Sequence, residues 1–116
     1  MTLQLEAAVE PNELVDVLRH YGGLTQRDIA QAAGVSDRTV YAWREGTAAR
    51  TATYDRLAEL REIVLILRDS LTPRGVGQWM RARNRSLTER RPLDVVLQDP
   101  AAVRAAAQAF AAGDYL

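Results

Sequence analysis

The segment Gln26–Glu45, QRDIAQAAGVSDRTVYAWRE, constrains the fold more than any other part of the chain. It holds two short helical patterns joined by a tight turn. Ala30 is small enough for two helices to approach closely, and Gly34 tolerates the positive φ that such a turn needs. The apolar positions expected to face a shared core are Ile29, Ala33, Val35, Val40 and Trp43. This spacing predicts a helix-turn-helix.

The remaining sequence also favours helix, because no stretch alternates β-branched or aromatic residues as a strand does. Capping residues, prolines and glycines delimit the expected helices. These are Asn12–Tyr21, Thr25–Gly34, Ser36–Glu45, Thr51–Ser70, Pro73–Arg81, Pro92–Leu97 and Pro100–Ala112, with a loop over 83–91. The long fourth helix is apolar on more than one side, and Trp43 and Trp79 are expected in the core. We therefore predict an all-α protein with a helix-turn-helix region over 1–70, which includes a long bridging helix, and a smaller helical region over 71–116.

Composition excludes several classes of function. The chain has no cysteine and one histidine, which excludes disulfides and thiolate sites and argues against a histidine-rich metal centre. No nucleophile–base pair or glycine-rich phosphate loop is present, so we predict neither an enzyme nor a bound cofactor. The 15 basic and 15 acidic residues cancel, with a net charge of −3 over 1–70 and +3 over 71–116. Any nucleic-acid binding must therefore come from a local patch.

The amino-terminal sequence is acidic and has no basic stretch followed by an apolar one, so it predicts no signal peptide. The longest apolar run, Ile63–Leu67, is too short to span a bilayer. These features predict a cytoplasmic protein without a membrane partner.

A helix-turn-helix that binds DNA places its second helix in the major groove. Arg38 is the candidate for a base contact, because arginine pairs bidentately with guanine. The full set of candidate operator-DNA residues is Thr25, Gln26, Arg27, Ser36, Asp37, Arg38, Tyr41, Arg44 and Arg50. Residues 24–50 carry a net charge of only +1, so binding would need a dimer that presents two such helices. The alternative is a helix-turn-helix retained as a scaffold.

The second half of the chain contains Trp79, Asn84, Leu87, the run Arg91-Pro92-Leu93-Asp94, and Val103 in a last helix that ends at Gly113. With a helix-turn-helix ahead of it, this pattern resembles the Xre/MbcA/ParS antitoxin family over residues 12–116. One departure is the turn before Pro92, where the family often has glycine and this chain has Thr88-Glu89-Arg90.

The resemblance implies a non-catalytic antitoxin, homodimeric within a larger complex, whose partner is a RES-domain toxin that consumes NAD or uses it for ADP-ribosylation. It implies that residues 71–116 mediate dimerisation and toxin binding, that the C-terminal end plugs the toxin's active-site cleft, and that the pair represses its own promoter. The candidate toxin-binding residues are Arg81, Arg83, Asn84, Arg85, Arg91, Gly113, Asp114, Tyr115 and Leu116. The basic cluster around the loop could instead meet a DNA backbone or be a solvated face; it consists of Arg81, Arg83, Arg85, Arg90 and Arg91. The whole chain could also be a plain dimeric regulator without a toxin partner, or an adaptor that never meets DNA.

Overall fold

The computed structural model describes Leu5 and residues 8–113. In this part of the chain the regular structure is helical, with one isolated antiparallel bridge between Asn84 and Arg90. The helices are α1 (Pro11–Gly22), α2 (Gln26–Ala33), α3 (Asp37–Arg44), α4 (Thr51–Leu67), α5 (Pro73–Arg81), α6 (Pro92–Val95) and α7 (Pro100–Ala111). A 3₁₀ turn, Arg85–Leu87, lies between α5 and α6. The predicted all-α fold is confirmed.

Local signals explain where most helices begin. The side chains of Thr25, Ser36, Thr72 and Asp99 each accept a hydrogen bond from a backbone N–H in the first turn of α2, α3, α5 and α7. Such caps satisfy amides that have no partner inside the helix. The structure therefore confirms these four predicted starts.

Two predicted ends are wrong. The fourth helix was expected to reach Ser70, but α4 ends at Leu67, whose carbonyl accepts from the N–H groups of both Ser70 and Leu71. The helix at Pro92 was expected to reach Leu97, but α6 ends at Val95, whose carbonyl likewise accepts twice, from Gln98 and Asp99. In both places the chain tightens into a turn that leads to the next cap, and apolar periodicity does not reveal that tightening.

One apolar core joins residues from both 1–70 and 71–116. The bridging helix α4 lies at its centre and packs against α1, α2 and α7, as its broad apolar pattern predicts. Trp43 is buried in this core, as expected. Trp79 is only partly buried, at its edge, with its ring 6.4 Å from that of Phe110. None of the described helices is long and apolar enough to cross a membrane.

Helix α5 sits directly on the turn between α1 and α2. A Cβ atom on Gly77 would lie 2.6 Å from the carbonyl oxygen of Gly23, which no real side chain tolerates. The two backbones can therefore meet only because residue 77 is glycine. This contact brings the end of α5 beside the start of α2, where the candidate functional groups lie.

Candidate functional site

The turn between α2 and α3 has the geometry that the sequence predicted. Gly34 adopts φ 72°, and the N–H of Val35 donates to the carbonyl of Ala30 at 3.0 Å. A Cβ atom on Gly34 would also meet both terminal carbons of Leu97 at 3.1 Å. Glycine is required here for its backbone conformation and because Leu97, from the second half of the chain, packs against the turn.

The two helices of the motif begin with caps that sit among the candidate DNA contacts. The Thr25 hydroxyl accepts from the N–H of Asp28 at 3.0 Å, and the Asp28 carboxylate accepts from the N–H of Thr25 at 2.9 Å. Ser36 accepts from the N–H of Thr39 at 3.2 Å. The hydroxyls of Thr25 and Ser36 thus shape the helix starts.

Three candidate DNA residues form a polar link between α2 and α3. Arg44 donates to the side-chain oxygen of Gln26 at 2.9 Å, and the Gln26 amide donates to the backbone carbonyl of Asp37 at 3.4 Å. Gln26 therefore contacts both ends of α3. Arg27 lies 3.9 Å from the Asp37 carboxylate and is 87% exposed, so it remains open to solvent.

The outward face of α3 carries the remaining candidates. Tyr41 is 56% exposed, and Arg38 is exposed. The side chains of Arg38 and Arg50 have no hydrogen-bond or ion-pair partner within the part of the chain that the structure describes. Both line a half-open groove of about 590 Å³ between α3 and the start of α4. These unpaired guanidinium groups can reach an anionic partner.

Sequence reasoning missed Arg56, which lines the same groove. Its guanidinium donates to the carbonyl of Ala33 at 3.1 Å, at the end of α2. Cations are favourable there because the helix dipole leaves its C-terminal carbonyls partly negative. The signal was absent from the local sequence because the two residues are 23 positions apart.

Two of the candidate toxin-binding arginines have carboxylate partners within the molecule. Arg81 pairs with Asp28 at 2.7 Å and also donates to the carbonyl of Gly23 at 3.3 Å. Arg91 donates two hydrogen bonds to Asp94, at 2.8 and 2.7 Å. Arg81 therefore ties α5 to the helix-turn-helix, while Arg91 pairs with a carboxylate three residues further on, at the start of α6.

The Asp94 carboxylate joins α6 to α2, because it also accepts from the side-chain amide of Gln31 at 2.7 Å. Its hydrogen bond with Arg91 is the main cause that holds the pKa of Asp94 below its ordinary value, and the same bond raises the pKa of Arg91. Local sequence patterns do not indicate this contact, since 63 positions separate Gln31 from Asp94.

The other candidates of the second half lie in the loop between α5 and α6. Asn84 is partly buried, and its side chain accepts from the N–H of Ser86 at 2.9 Å to begin the 3₁₀ turn. Arg83 and Arg85 are exposed. Gly113 follows α7 with φ 86° and an open surrounding. Asp114, Tyr115 and Leu116 lie outside the described residues.

Among the described residues, no group of three acidic or histidine side chains lies close enough together to hold a metal ion. The arrangement offers basic and aromatic contact surfaces on a rigid helical frame. Such surfaces bind other macromolecules.

Comparison with known proteins gives one match over the full chain. A probable mycobacterial cidal antitoxin of Mycobacterium tuberculosis is 50% identical over 117 residues, and the alignment covers 100% of both chains. A UPF0251 protein of Thermococcus kodakarensis is 40% identical over 58 residues, 50% of each chain. No protein-family model matches the chain.

A solved structure has the same fold. In the crystal structure of the M. tuberculosis MbcT–MbcA toxin–antitoxin complex, the antitoxin chain matches with a TM-score of 0.76 and 26% sequence identity. The match covers 91% of this chain and 96% of that one. The similarity therefore extends over the helix-turn-helix and the second half together.

Proposed function

Because the chain belongs to the same antitoxin family as the mycobacterial cidal antitoxin, we propose that it neutralises a RES-domain toxin that consumes NAD or uses it for ADP-ribosylation. In this proposal the C-terminal end enters the toxin's active-site cleft and blocks it. The helix-turn-helix binds operator DNA and represses the operon. The protein works by binding and has no catalytic role of its own.

One observation carries the proposal: the 50% identity with an antitoxin runs through the whole chain. A regulator that shared only the DNA-binding motif would be similar over 1–70 alone. The likeness to the antitoxin of the MbcT–MbcA complex, a toxin-bound relative, also includes α5, α6 and α7. These are the elements to which we assign toxin binding.

The segment after α7 suits a plug. Helix α7 closes with backbone bonds to the carbonyls of Gln108 and Phe110, so this segment follows directly on a hydrogen-bonded helix end. A segment that is already held at one end loses less conformational freedom when it binds than a free peptide does. Tyr115 is an aromatic residue of the kind that anchors interfaces, and Asp114 and the terminal carboxylate could pair with cations that otherwise hold NAD phosphates. The proposed toxin contacts also include Arg81, Arg83, Asn84, Arg85 and Arg91.

Operator binding rests on the geometry of α3. Arg38 and Tyr41 are exposed on its outer face, and Arg50 lies beside it across the groove. We assign base reading to Arg38, and phosphate contacts to Arg50 and to the start of α2. The small local charge makes a homodimer necessary, because two recognition helices double the contacts.

The first test is co-expression with the neighbouring reading frame, with growth and cellular NAD as readouts. We expect the neighbour alone to arrest growth or deplete NAD, and this chain to restore both in a stable complex. A harmless neighbour that forms no complex would contradict the proposal and leave operator binding as the main function.

The plug itself is tested by ending the chain after Ala112. The truncated protein should keep its helical circular dichroism and its melting temperature, because the described core residues all precede that point. It should lose neutralisation. A truncated chain that still protects cells would show that the C-terminal end does not block the toxin.

A plain dimeric regulator is the second candidate, favoured by the unpaired Arg38 on an exposed recognition helix. Arg38→Ala should weaken specific operator binding by about 1–3 kcal/mol if this side chain reads a base. Loss of Asp114–Leu116 should leave the operator binding of a plain regulator unchanged, whereas it should abolish neutralisation of the toxin by an antitoxin.

A further inference from the structure

The arginines from the end of α5 to the start of α6 fall into two groups. Arg81 and Arg91 are paired with Asp28 and Asp94, and the Nε of Arg90 donates to the carbonyl of Leu87 at 3.1 Å. Arg83 and Arg85 are exposed, and their side chains have no hydrogen bond or ion pair to any described residue. We propose that Arg83 and Arg85 form the part of this loop that binds the toxin, through carboxylates on the toxin surface. This proposal rests on the antitoxin function proposed above. Within this loop it assigns toxin binding to these two arginines alone.

The loop holds these two arginines on a fixed backbone. The N–H of Asn84 donates to the carbonyl of Arg90 at 3.1 Å, and the carbonyl of Asn84 accepts from the N–H groups of Leu87 and Glu89 at 3.0 and 2.9 Å. Leu87 is 3% exposed and anchors the loop in the core beside α7. A surface that is already ordered loses little entropy on binding, so each charge contributes more to affinity.

The turn that closes the loop is strained. Thr88 and Glu89 adopt φ 58° and 63°, the left-handed region that side chains with a Cβ rarely occupy. The surrounding bonds keep this shape although neither residue is glycine. Such conformations persist where the structure over-determines them, and they concentrate at functional sites.

The charges of the loop favour a protein over nucleic acid. Glu89 is exposed in the same loop as Arg83 and Arg85. A phosphate backbone presents negative charge alone and would repel this carboxylate, whereas a protein surface can offer carboxylates to the arginines and a cation to Glu89. The recognition helix α3 packs on α1 and α2, while the loop packs on α7. The loop therefore belongs to the half of the molecule to which we assign toxin binding.

The test compares two variants of the full chain with equal loss of net positive charge. Arg83→Gln with Arg85→Gln removes the loop surface. Arg19→Glu, a charge reversal in α1, is the control, since Arg19 lies outside the elements to which we assign toxin binding, is exposed and has no ion-pair partner among the described residues. Binding of each protein to the purified product of the neighbouring reading frame is measured by surface plasmon resonance at several salt concentrations. Thermal melting checks the fold.

We expect the loop variant to associate about tenfold more slowly than wild type at low salt and to show a weaker salt dependence, because steering charges act on the on-rate. The control should stay within about twofold of wild type. If the loop variant binds the toxin as well as wild type does, this inference is wrong and the proposed antitoxin function is unaffected. Wild type that fails to bind overturns both. A loop variant that binds toxin normally but has lost affinity for a promoter duplex would show a nucleic-acid contact instead.

Discussion

The α2–α3 turn and the Asn84–Arg90 loop both reverse the chain in a few residues through left-handed backbone, but by different means. In the first, a single glycine at position 34 adopts the left-handed conformation without steric cost. In the second, Thr88 and Glu89 adopt it against their preference. The first turn is encoded by its own residues. The second is held by Leu87 in the core and by backbone bonds to Asn84.

This difference separates two kinds of stability. A locally encoded turn keeps its shape when distant contacts weaken, since glycine needs no help to reach positive φ. A turn that is held by tertiary contacts loses its shape when those contacts are removed.

Leu87→Ala should produce the largest loss, about 2–4 kcal/mol in the free energy of unfolding, because it removes a buried side chain and leaves a cavity. It should also free the strained turn, which amide hydrogen exchange at Glu89 and Arg90 would report as faster exchange. Leu97→Ala, at a partly buried leucine outside the loop, is the matched control. Slow exchange retained in the Leu87 variant would mean that the loop does not depend on its anchor.

Gly34→Ala should cost about 2 kcal/mol. Roughly half of this comes from the left-handed backbone and the rest from the Cβ that meets Leu97. The same substitution made in a Leu97→Ala background separates the two causes, because the backbone conformation is unchanged while the added Cβ no longer meets the leucine side chain. Urea unfolding in both backgrounds gives the two costs. Equal values would show that the contact with Leu97 carries no energy.

Thr88→Gly should raise stability by about 0.5–1 kcal/mol, because relief of the left-handed strain outweighs the added freedom of the unfolded chain. Ser86, in the same loop, does not have positive φ. Ser86→Gly should therefore lower the free energy of unfolding by a similar amount. Chemical denaturation of the two variants shows whether each substitution raises or lowers the free energy of unfolding. A Thr88 variant less stable than wild type would mean that the turn is not strained.

Asp94→Asn should have the smallest effect, and one that depends on pH. The pKa of Asp94 is lowered in the folded protein, so its contribution is present above the unfolded value of 3.8 and is lost as pH falls through the lower folded value. Melting temperatures of wild type and variant should therefore differ at neutral pH and converge in acid below about pH 4. Asp69→Asn, at an exposed carboxylate with no ion pair in the described residues, is the matched substitution for comparison. A difference between wild type and the Asp94 variant that stays the same at every pH would contradict this expectation.

Much of the fold was predictable because its signals are local. Thr25 with Asp28, Ser36, Thr72 with Pro73, and Asp99 with Pro100 are caps or starts that act within one helical turn, and the structure confirms them. The apolar pattern of α4 predicted a helix buried on several sides. These features need no knowledge of distant residues.

The polar contacts of the candidate site could not be predicted in the same way. Gln31 with Asp94, Arg81 with Asp28 and Arg56 with Ala33 are separated by 63, 53 and 23 positions, and each depends on how two helices pack. Periodicity marks such side chains only as solvent-facing. For this reason Arg81 and Arg91 were grouped with Arg83 and Arg85, although only the latter pair is left without an intramolecular partner in the described structure.

One oxygen of Asp28 accepts both the N–H of Thr25, at 2.9 Å, and the guanidinium of Arg81, at 2.7 Å. The start of the helix-turn-helix and the end of α5 therefore share an acceptor, and Gln31 and Asp94 tie the same helix to α6. A chimaera that exchanges everything after residue 70 to acquire a new partner inherits positions 81 and 94 from one parent and positions 28 and 31 from the other. The two halves are modular only for parents that match at both pairs.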